Sequence, residues 1–545
     1  MSSHPAIATR LDRLTPDQRA AAIAPPGPIL CVAPAGSGKT TTLVARIAWL
    51  VDGGALPASI AAITFNKRAA QELAERLDAA LAPMNVEPGA VRVRTFHALG
   101  REILRDAGVA VDPLLDRAAL LRELWPRIGP GEINRLDSAF SRLKLEHAVA
   151  ADEVAADPEA GPTASAFVAY ERAISDRGGL DFDDLVRRAL VVLEREPELL
   201  ARWRMACTHL LVDEVQDVDR SQLRLALLLA APANRIFLVG DDDQSIYGWR
   251  LADVRRVLDL GAALPGLRRV DLAVNHRCPV PVVERAVRLI AHNRERFAKT
   301  IRARPDAGGR LILAPDPADE PTRLMRLLDA WPDDDGTWSI LARTNRELRP
   351  AIVAALALGQ PFRAASAALL VDDDRLDGLL ERLDDTRPDA PLLVRVAALR
   401  RWVGLEQDGR RELATALLAW AAPFPDLQAF VDAIADTRRR LAALRRDDAR
   451  LTLATAHSTK GLEFDHVVVV GMEEGRFPSG RAVTASDEPE RALEEERRLA
   501  YVAWTRARRS LTLSYDPAVP SPFLLEAFSP QELGLTAVPS PNSPA

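Results

Sequence analysis

The chain has 545 residues, 48% apolar and 27% charged, a length that calls for two to four domains and a composition that folds. Its formal net charge of −6 excludes a protein that holds nucleic acid by overall basicity, so any such binding belongs to a local groove. Cys31, Cys207 and Cys278 lie far apart without metal-ligand spacing, which argues against zinc, an iron–sulfur cluster or a disulfide framework.

Residues 1–10 lack the basic start and apolar core of a signal peptide, and stretches such as 225–231 and 466–470 are far too short to span a bilayer. A cytoplasmic protein with no membrane partner is expected.

Apolar, β-branched runs ending in glycine or acidic residues alternate with amphipathic stretches, the pattern of α/β domains built on parallel sheets. In the first half, 29–32, 60–64, 91–95, 209–212 and 236–239 read as buried strands; in the second, 339–342, 451–455, 466–470 and 511–514 do. A further strand is expected near 360–364. Between them, 109–177 and 369–447 are rich in Leu, Ala, Arg and Asp at helical spacing. The expected layout is a first sheet domain (1–98 and 178–274) with a helical insertion (99–177). A second sheet domain (275–368 and 448–528) carries a smaller one (369–447). The Pro- and Ser-containing tail, 529–545, is expected to be disordered.

Ala33-Pro34-Ala35-Gly36-Ser37-Gly38-Lys39-Thr40 follows a strand and opens a helix, the context a phosphate-binding loop requires, although Ala33 replaces the usual first glycine. Backbone N–H groups would cradle the phosphates, Lys39 would neutralise the β and γ oxygens, and Thr40 would hold Mg²⁺. The strand 210–212 ends in Asp213 and Glu214. Alone, such a pair is more often a solvated strand end; beside a phosphate loop, Asp213 serves the metal and Glu214 polarises the attacking water.

The runs Val212-Asp-Glu-Val-Gln-Asp217 and Val239-Gly-Asp-Asp-Asp-Gln-Ser-Ile-Tyr-Gly-Trp-Arg250 resemble the UvrD, Rep and PcrA family of superfamily 1 DNA helicases. The resemblance extends through 14–18, 63–70, Thr95-Phe96-His97, Leu180–Asp184, Asn275-His276-Arg277, Ala342–Asn345, 455–465 and 494–508. It implies two RecA-like P-loop domains that use ATP and Mg²⁺ to move 3′ to 5′ on single-stranded DNA and its junctions with duplex. The setting would be DNA repair or recombination, with repair or replication proteins as partners.

By the same resemblance Gln18 reads the adenine, Gln244 senses the γ-phosphate and Glu463 lies near the ribose. Arg277 and Arg506 reach the γ-phosphate from the second sheet domain. Two positions depart from the family: His276 stands where a tyrosine stacks on adenine, and Thr41 follows Thr40 where many members have arginine.

A motor on single strands needs stacking platforms, because every base offers a π-face. Tyr247 and Trp249 follow Gln244 closely enough to link nucleotide state to stacking; without the family, a buried aromatic pair would be the preferred reading. Phe65, Asn66, Phe96, His97, Arg343 and Thr344 resemble the family's other DNA contacts, all expected at strand C-terminal edges, although Phe96 fits the core equally well. Lys67, Arg68 and Lys460 are candidates for phosphate contacts or local ion pairs.

Only five of the 71 basic residues are lysine (Lys39, Lys67, Lys144, Lys299 and Lys460), and a compact ammonium does what a guanidinium cannot. The second insertion is shorter than the family usually has and holds no glycine-rich duplex-binding loop, which predicts weak unwinding. Little sequence follows Arg508, so no nuclease domain is expected. The competing readings are an ATPase switch that remodels protein on DNA without stepping, and an RNA helicase; no LSGGQ-like signature supports a transport ATPase.

Overall fold

A computed structural model describes residues 4–149, 151–156, 161–331, 334–364, 369–373, 375–384, 389–403 and 410–535. The chain divides into two units, 1–277 with 293–307, and 278–292 with 308–545. Both are built on a six-stranded parallel sheet, as the alternating pattern implies.

In the first unit the strands are β1 (Ile29–Val32), β2 (Ile60–Thr64), β3 (Arg92–Thr95), β4 (His209–Val212), β5 (Ile236–Gly240) and β6 (Arg268–Asp271), in the order β3-β2-β4-β5-β1-β6. The four inner strands are buried at every position, which is why they read as unbroken apolar runs. Both edge strands carry arginines, Arg92 and Arg94 on one side and Arg268 and Arg269 on the other, charges that discourage further pairing. Those arginines also hid β6 from an apolar-run search.

Alternate residues feed opposite faces. Leu30, Val32, Ile63, Leu210 and Leu238 pack with helices Phe96–Asp106, Asp184–Arg195 and Arg220–Ala230, while Ile29, Cys31, Ala62, Leu211 and Val239 pack with helices Lys39–Asp52 and Lys67–Leu81. Each fully buried leucine, isoleucine or valine among them contributes about 1.5–3 kcal/mol.

A short parallel pair, β7 (Val274–Asn275) and β8 (Arg302–Ala303), closes this unit. Residues 275–277 and 293–307, expected in the second domain, therefore pack with the first. The helix Phe96–Asp106 likewise belongs to the sheet core, since Leu99, Ile103 and Leu104 lie within it. The helical insertion proper has its own cluster around Phe140, Phe167 and Tyr170, with ring centroids 5.4 and 5.1 Å from Phe140.

That insertion is anchored by ions. Lys144, fully buried, places its ammonium 2.7 Å from Glu171, 2.8 Å from Asp181 and 3.1 Å from Asp184, while Arg117 lies 2.7 Å from Asp181 and 2.6 Å from Asp183. Burial would raise the Asp181 pKa, but Lys144 and Arg117 hold it below the usual carboxylate range. The motif Leu180–Asp184 thus fastens insertion to sheet domain.

The second unit's strands are β9 (Arg310–Pro315), β10 (Trp338–Ala342), β11 (Phe362–Arg363), β12 (Leu451–Thr455), β13 (Phe464–Val469) and β14 (Ala507–Tyr515), ordered β11-β12-β10-β13-β14-β9. β9 is a half-exposed edge strand, although its residues 311–314 are all apolar. Helices Leu376–Asp384, Leu392–Val403, Arg410–Ala421 and Leu427–Leu444 make up the smaller insertion, and Leu376, Val396, Leu417 and Phe430 join the same cluster as Ile340 and Leu453.

Residues 529–535, expected in a disordered tail, form a turn in which Leu533 is buried and Glu532 pairs with Arg285; 536–545 lie outside the described residues. Among the described residues, no helix is long and apolar enough to cross a membrane.

Candidate nucleotide site and nucleic-acid face

The phosphate loop leaves β1 by a hydrogen bond from Ala33 N–H to the Gly240 carbonyl, 2.8 Å, and enters the helix Lys39–Asp52 through Gly38. Gly36 and Gly38 have φ of +67° and +84°, left-handed values that favour glycine. Close approach adds to this: a Cβ on Gly36 would lie 2.8 Å from both Arg277 Cβ and Asn275 Oδ1. His276 N–H donates to the Gly36 carbonyl at 2.8 Å. Arg277 and His276 thus reach the loop from within the first unit, not from the second as expected, because β7 and β8 fold back onto it.

Gln18 is buried and engaged at both ends, its Nε2 donating to the Ser37 carbonyl at 2.8 Å and its Oε1 accepting from Thr15 N–H at 3.1 Å. In this arrangement it braces the loop. Thr40 lies in the first turn of the helix, half-buried, and Thr41 beside it is exposed. Pro34 and Ala35 are buried at the loop's start. Ser37 Oγ is buried without a hydrogen-bond partner, an orphaned group inside a loop of backbone amides. Such a cradle fits a phosphate chain.

The acidic half of the site comes from the end of β4. Glu214 has a φ of 51°, unusual for a non-glycine residue and the kind of backbone cost retained at functional positions. Its carboxylate lies 3.4 Å from Lys39 Nζ. Asp213 Oδ1 accepts from Glu214 N–H at 2.9 Å. Gln216, which sequence reasoning quoted without assigning a role, donates from Nε2 to Glu214 Oε2 at 2.5 Å and accepts from Asp241 N–H at 3.0 Å. A Cβ on Gly240 would collide with that amide, so Gly240 admits Gln216 between the two strand ends. Gln244 donates to Asp241 Oδ2 at 2.6 Å.

Along the same C-terminal edge run the aromatic residues. Phe65, just after β2, stacks on Tyr247 at 5.0 Å and 11°, and Tyr247 meets Trp249 edge-on at 6.1 Å. Trp249 is 60% exposed, with the Arg250 guanidinium 4.8 Å from its ring centre. Asn66 caps the helix Lys67–Leu81 by accepting from Ala69 N–H. His97 stacks on Phe182 at 3.8 Å and 20°, and Phe182 is 55% exposed. Phe182 was missed as a site residue; an aromatic ringed by three aspartates in Leu180–Asp184 was the available signal. Phe96, expected on the DNA face, is instead 3% exposed, because as the first residue of its helix it points into the sheet core.

In the second unit, Arg343 pairs with Glu496 at 2.6–2.9 Å, and Thr344 caps a turn with Glu347. Glu463 pairs with Arg508. Arg506 is 1% exposed and donates to the carbonyls of Val502 (2.8 Å) and Leu462 (3.1 Å).

Two family models match this sequence: the UvrD/REP helicase N-terminal domain over residues 14–264, and the UvrD-like helicase C-terminal domain over residues 415–517. The first encloses the loop, Asp213, Glu214, Gln244 and the aromatic row; the second encloses Glu463 and Arg506. The chain is 30% identical to the DNA helicase II of Escherichia coli (strain K12), over 93% of its own length and 84% of that protein's. It is 27% identical to an ATP-dependent DNA helicase PcrA of Staphylococcus epidermidis over 90% and 81%, and to one of Staphylococcus aureus (strain Mu50) over 93% and 83%.

Proposed function

As the chain belongs to the UvrD/Rep family of DNA helicases, we propose that it is an ATP-driven motor moving 3′ to 5′ along single-stranded DNA, with ATP hydrolysed at the loop 33–40. One observation carries this reading: Gln244, hydrogen-bonded into the acidic site, stands three residues before Tyr247 and five before the exposed Trp249. A shift of that short segment with nucleotide state moves the stacking surface.

The loop amides and Lys39 bind the phosphates, and the Ser37 hydroxyl has a donor to give them. Glu214, held by Gln216 and Lys39, accepts the proton of the attacking water. Gln244 is assigned to sensing the γ-phosphate, and Arg277 and Arg506 to the charge that develops on the transferred group. Thr40 and Asp213 would hold Mg²⁺, which when bound neutralises phosphate charge. Gln18 and His276 are assigned to the adenine side and Glu463 to the ribose; Gln18 must first release one of its two present hydrogen bonds.

The strand is assigned to the row Phe65, Tyr247, Trp249 and to the His97–Phe182 pair, with Asn66, Arg343 and Thr344 as backbone contacts. We infer a cytoplasmic role in repair or recombination. The smaller insertion shares the second unit's core, and we infer that it leaves duplex engagement reduced.

ATP turnover measured on oligo(dT) of increasing length tests the motor: turnover should rise with length and then saturate. Length-independent turnover would mean a stationary switch. Blocking one strand end at a time checks direction, and vigorous unwinding of a long forked duplex would sink the claim about duplex engagement.

A further inference from the structure

Two of the five lysines fall in no nucleotide or DNA motif, and both side chains are shut away from solvent, 0% exposed for Lys144 and 1% for Lys299. Lys144 anchors the helical insertion. Lys299 faces Asp241, Asp242 and Asp243, three consecutive carboxylates just beyond β5, all 0% exposed.

Its ammonium lies 2.9 Å from Asp241 Oδ1 and 2.9 Å from Asp243 Oδ2, and also contacts Asp242. Arg296 adds a two-pronged pair to Asp243 at 2.9 and 2.7 Å, and Phe297 N–H donates to Asp242 at 2.8 Å. Three donors on one compact centre serve three carboxylates; a planar guanidinium does not. This explains a lysine in a chain that otherwise uses arginine.

The partners of Asp241 give the cluster its consequence. While Oδ1 takes Lys299, Oδ2 takes Gln244 Nε2, and the Asp241 N–H reaches Gln216, which holds Glu214. One carboxylate therefore stands between the lysine and Gln244, while Glu214 is reached only through the Asp241 backbone N–H and Gln216. The segment that supplies Lys299, 293–307, is bounded in sequence on both sides by chain of the second unit.

We propose that Lys299 is a positioning residue for ATP hydrolysis, fixing the Asp241 carboxylate and through it Gln244, so that the strap 293–307 bears on the γ-phosphate side of the site. The proposal rests on the assignment of Gln244 to that side.

The test is a mutant cycle on the full chain, reading kcat and KM for ATP with saturating oligo(dT). Lys299→Met should lower kcat by about tenfold or more while KM for ATP and oligo(dT) affinity stay within about twofold. In a Gln244→Ala background the same substitution should cost less than about twofold, because the path it acts through is already cut. Equal losses in both backgrounds overturn the proposal and leave the assignment of Gln244 intact. An unchanged kcat in Gln244→Ala alone removes Gln244 from the reaction and the proposal with it. Should Lys299→Met fail to fold, Lys299→Arg enters the same cycle: a kcat loss that vanishes with Gln244→Ala supports the proposal, and wild-type kcat overturns it.

Discussion

The two sheets share strand number and direction but differ in what their motif residues have left over. In the first unit Ser37 Oγ is unpartnered, two glycines open a cradle, and Trp249 and Phe182 turn large apolar faces to solvent. In the second, Arg343 is spent on Glu496, Glu463 on Arg508, and Arg506 on two backbone carbonyls. One unit leaves groups open to ligands, while in the other the charged groups assigned to ligands are held in place by protein partners. Ligand binding should therefore be sensitive to the first, and turnover to both.

The sharpest break in this contrast would come at Lys39. Lys39→Ala removes the cation of the receiving loop and leaves Glu214 without its 3.4 Å partner. Hydrolysis should fall by about a thousandfold or more, the scale on which a phosphate-clamping charge enters phosphoryl transfer. Residual turnover near wild type, in a coupled assay with oligo(dT), would move the nucleotide elsewhere.

Next in size is Arg506→Ala, expected to cost roughly a thousandfold in kcat while ATP affinity changes by less than about tenfold. Arg506→Lys should not restore the rate, since an ammonium lacks the planar fork. A protein that binds ATP weakly but turns over normally would invert the division of labour between units.

Within the first unit alone, the aromatic residues divide between core and ligand face. Phe96→Ala should destabilise by about 3–5 kcal/mol, as for other buried Phe truncations, with little loss of DNA affinity in the folded protein. Phe182→Ala and Trp249→Ala should melt like wild type and lose about 1–3 kcal/mol of single-strand affinity each, with DNA-stimulated turnover falling more than basal turnover. Denaturant melts beside fluorescence-anisotropy titrations separate the two outcomes. If Trp249→Ala lowers both turnovers equally, its ring is structural.

Sequence alone was enough for the inner strands and the phosphate loop, because a buried parallel strand is an apolar run and the loop is a fixed spacing of residue types. Edge strand β6 was not legible because arginines break its apolar signal; β9 was passed over although 311–314 is an apolar run, since so short a run does not by itself separate strand from helix. The packing of 275–277 and 293–307 with the first unit was also hidden, since hydrogen bonds between β7 and β8 decide it and neither strand exceeds two residues. Phe96 was placed on the DNA face and Phe182 given no role, because both are aromatic beside polar neighbours. Helix phase buries one, and the ion network of Asp181, Asp183 and Asp184 presents the other.

The smallest expected effect concerns two histidines, one in each unit. Burial pushes His97 down to about 4, with Asp183 opposing and Arg250 adding to the shift, and burial with the Arg343 charge pushes His457 to about 4. An unfolded chain takes up these protons near pH 6.5, before the folded one does. Both rings therefore favour folding above about pH 6.5, and that contribution is lost as pH falls toward about 4. Urea midpoints at pH 7.5 and 5 should differ accordingly, and His97→Phe, which keeps a flat ring against Phe182, should shrink the difference. An unchanged pH slope would mean that the His97 ring is open to water, and the His97–Phe182 pair would then present a titrating charge to the DNA in place of an apolar stack.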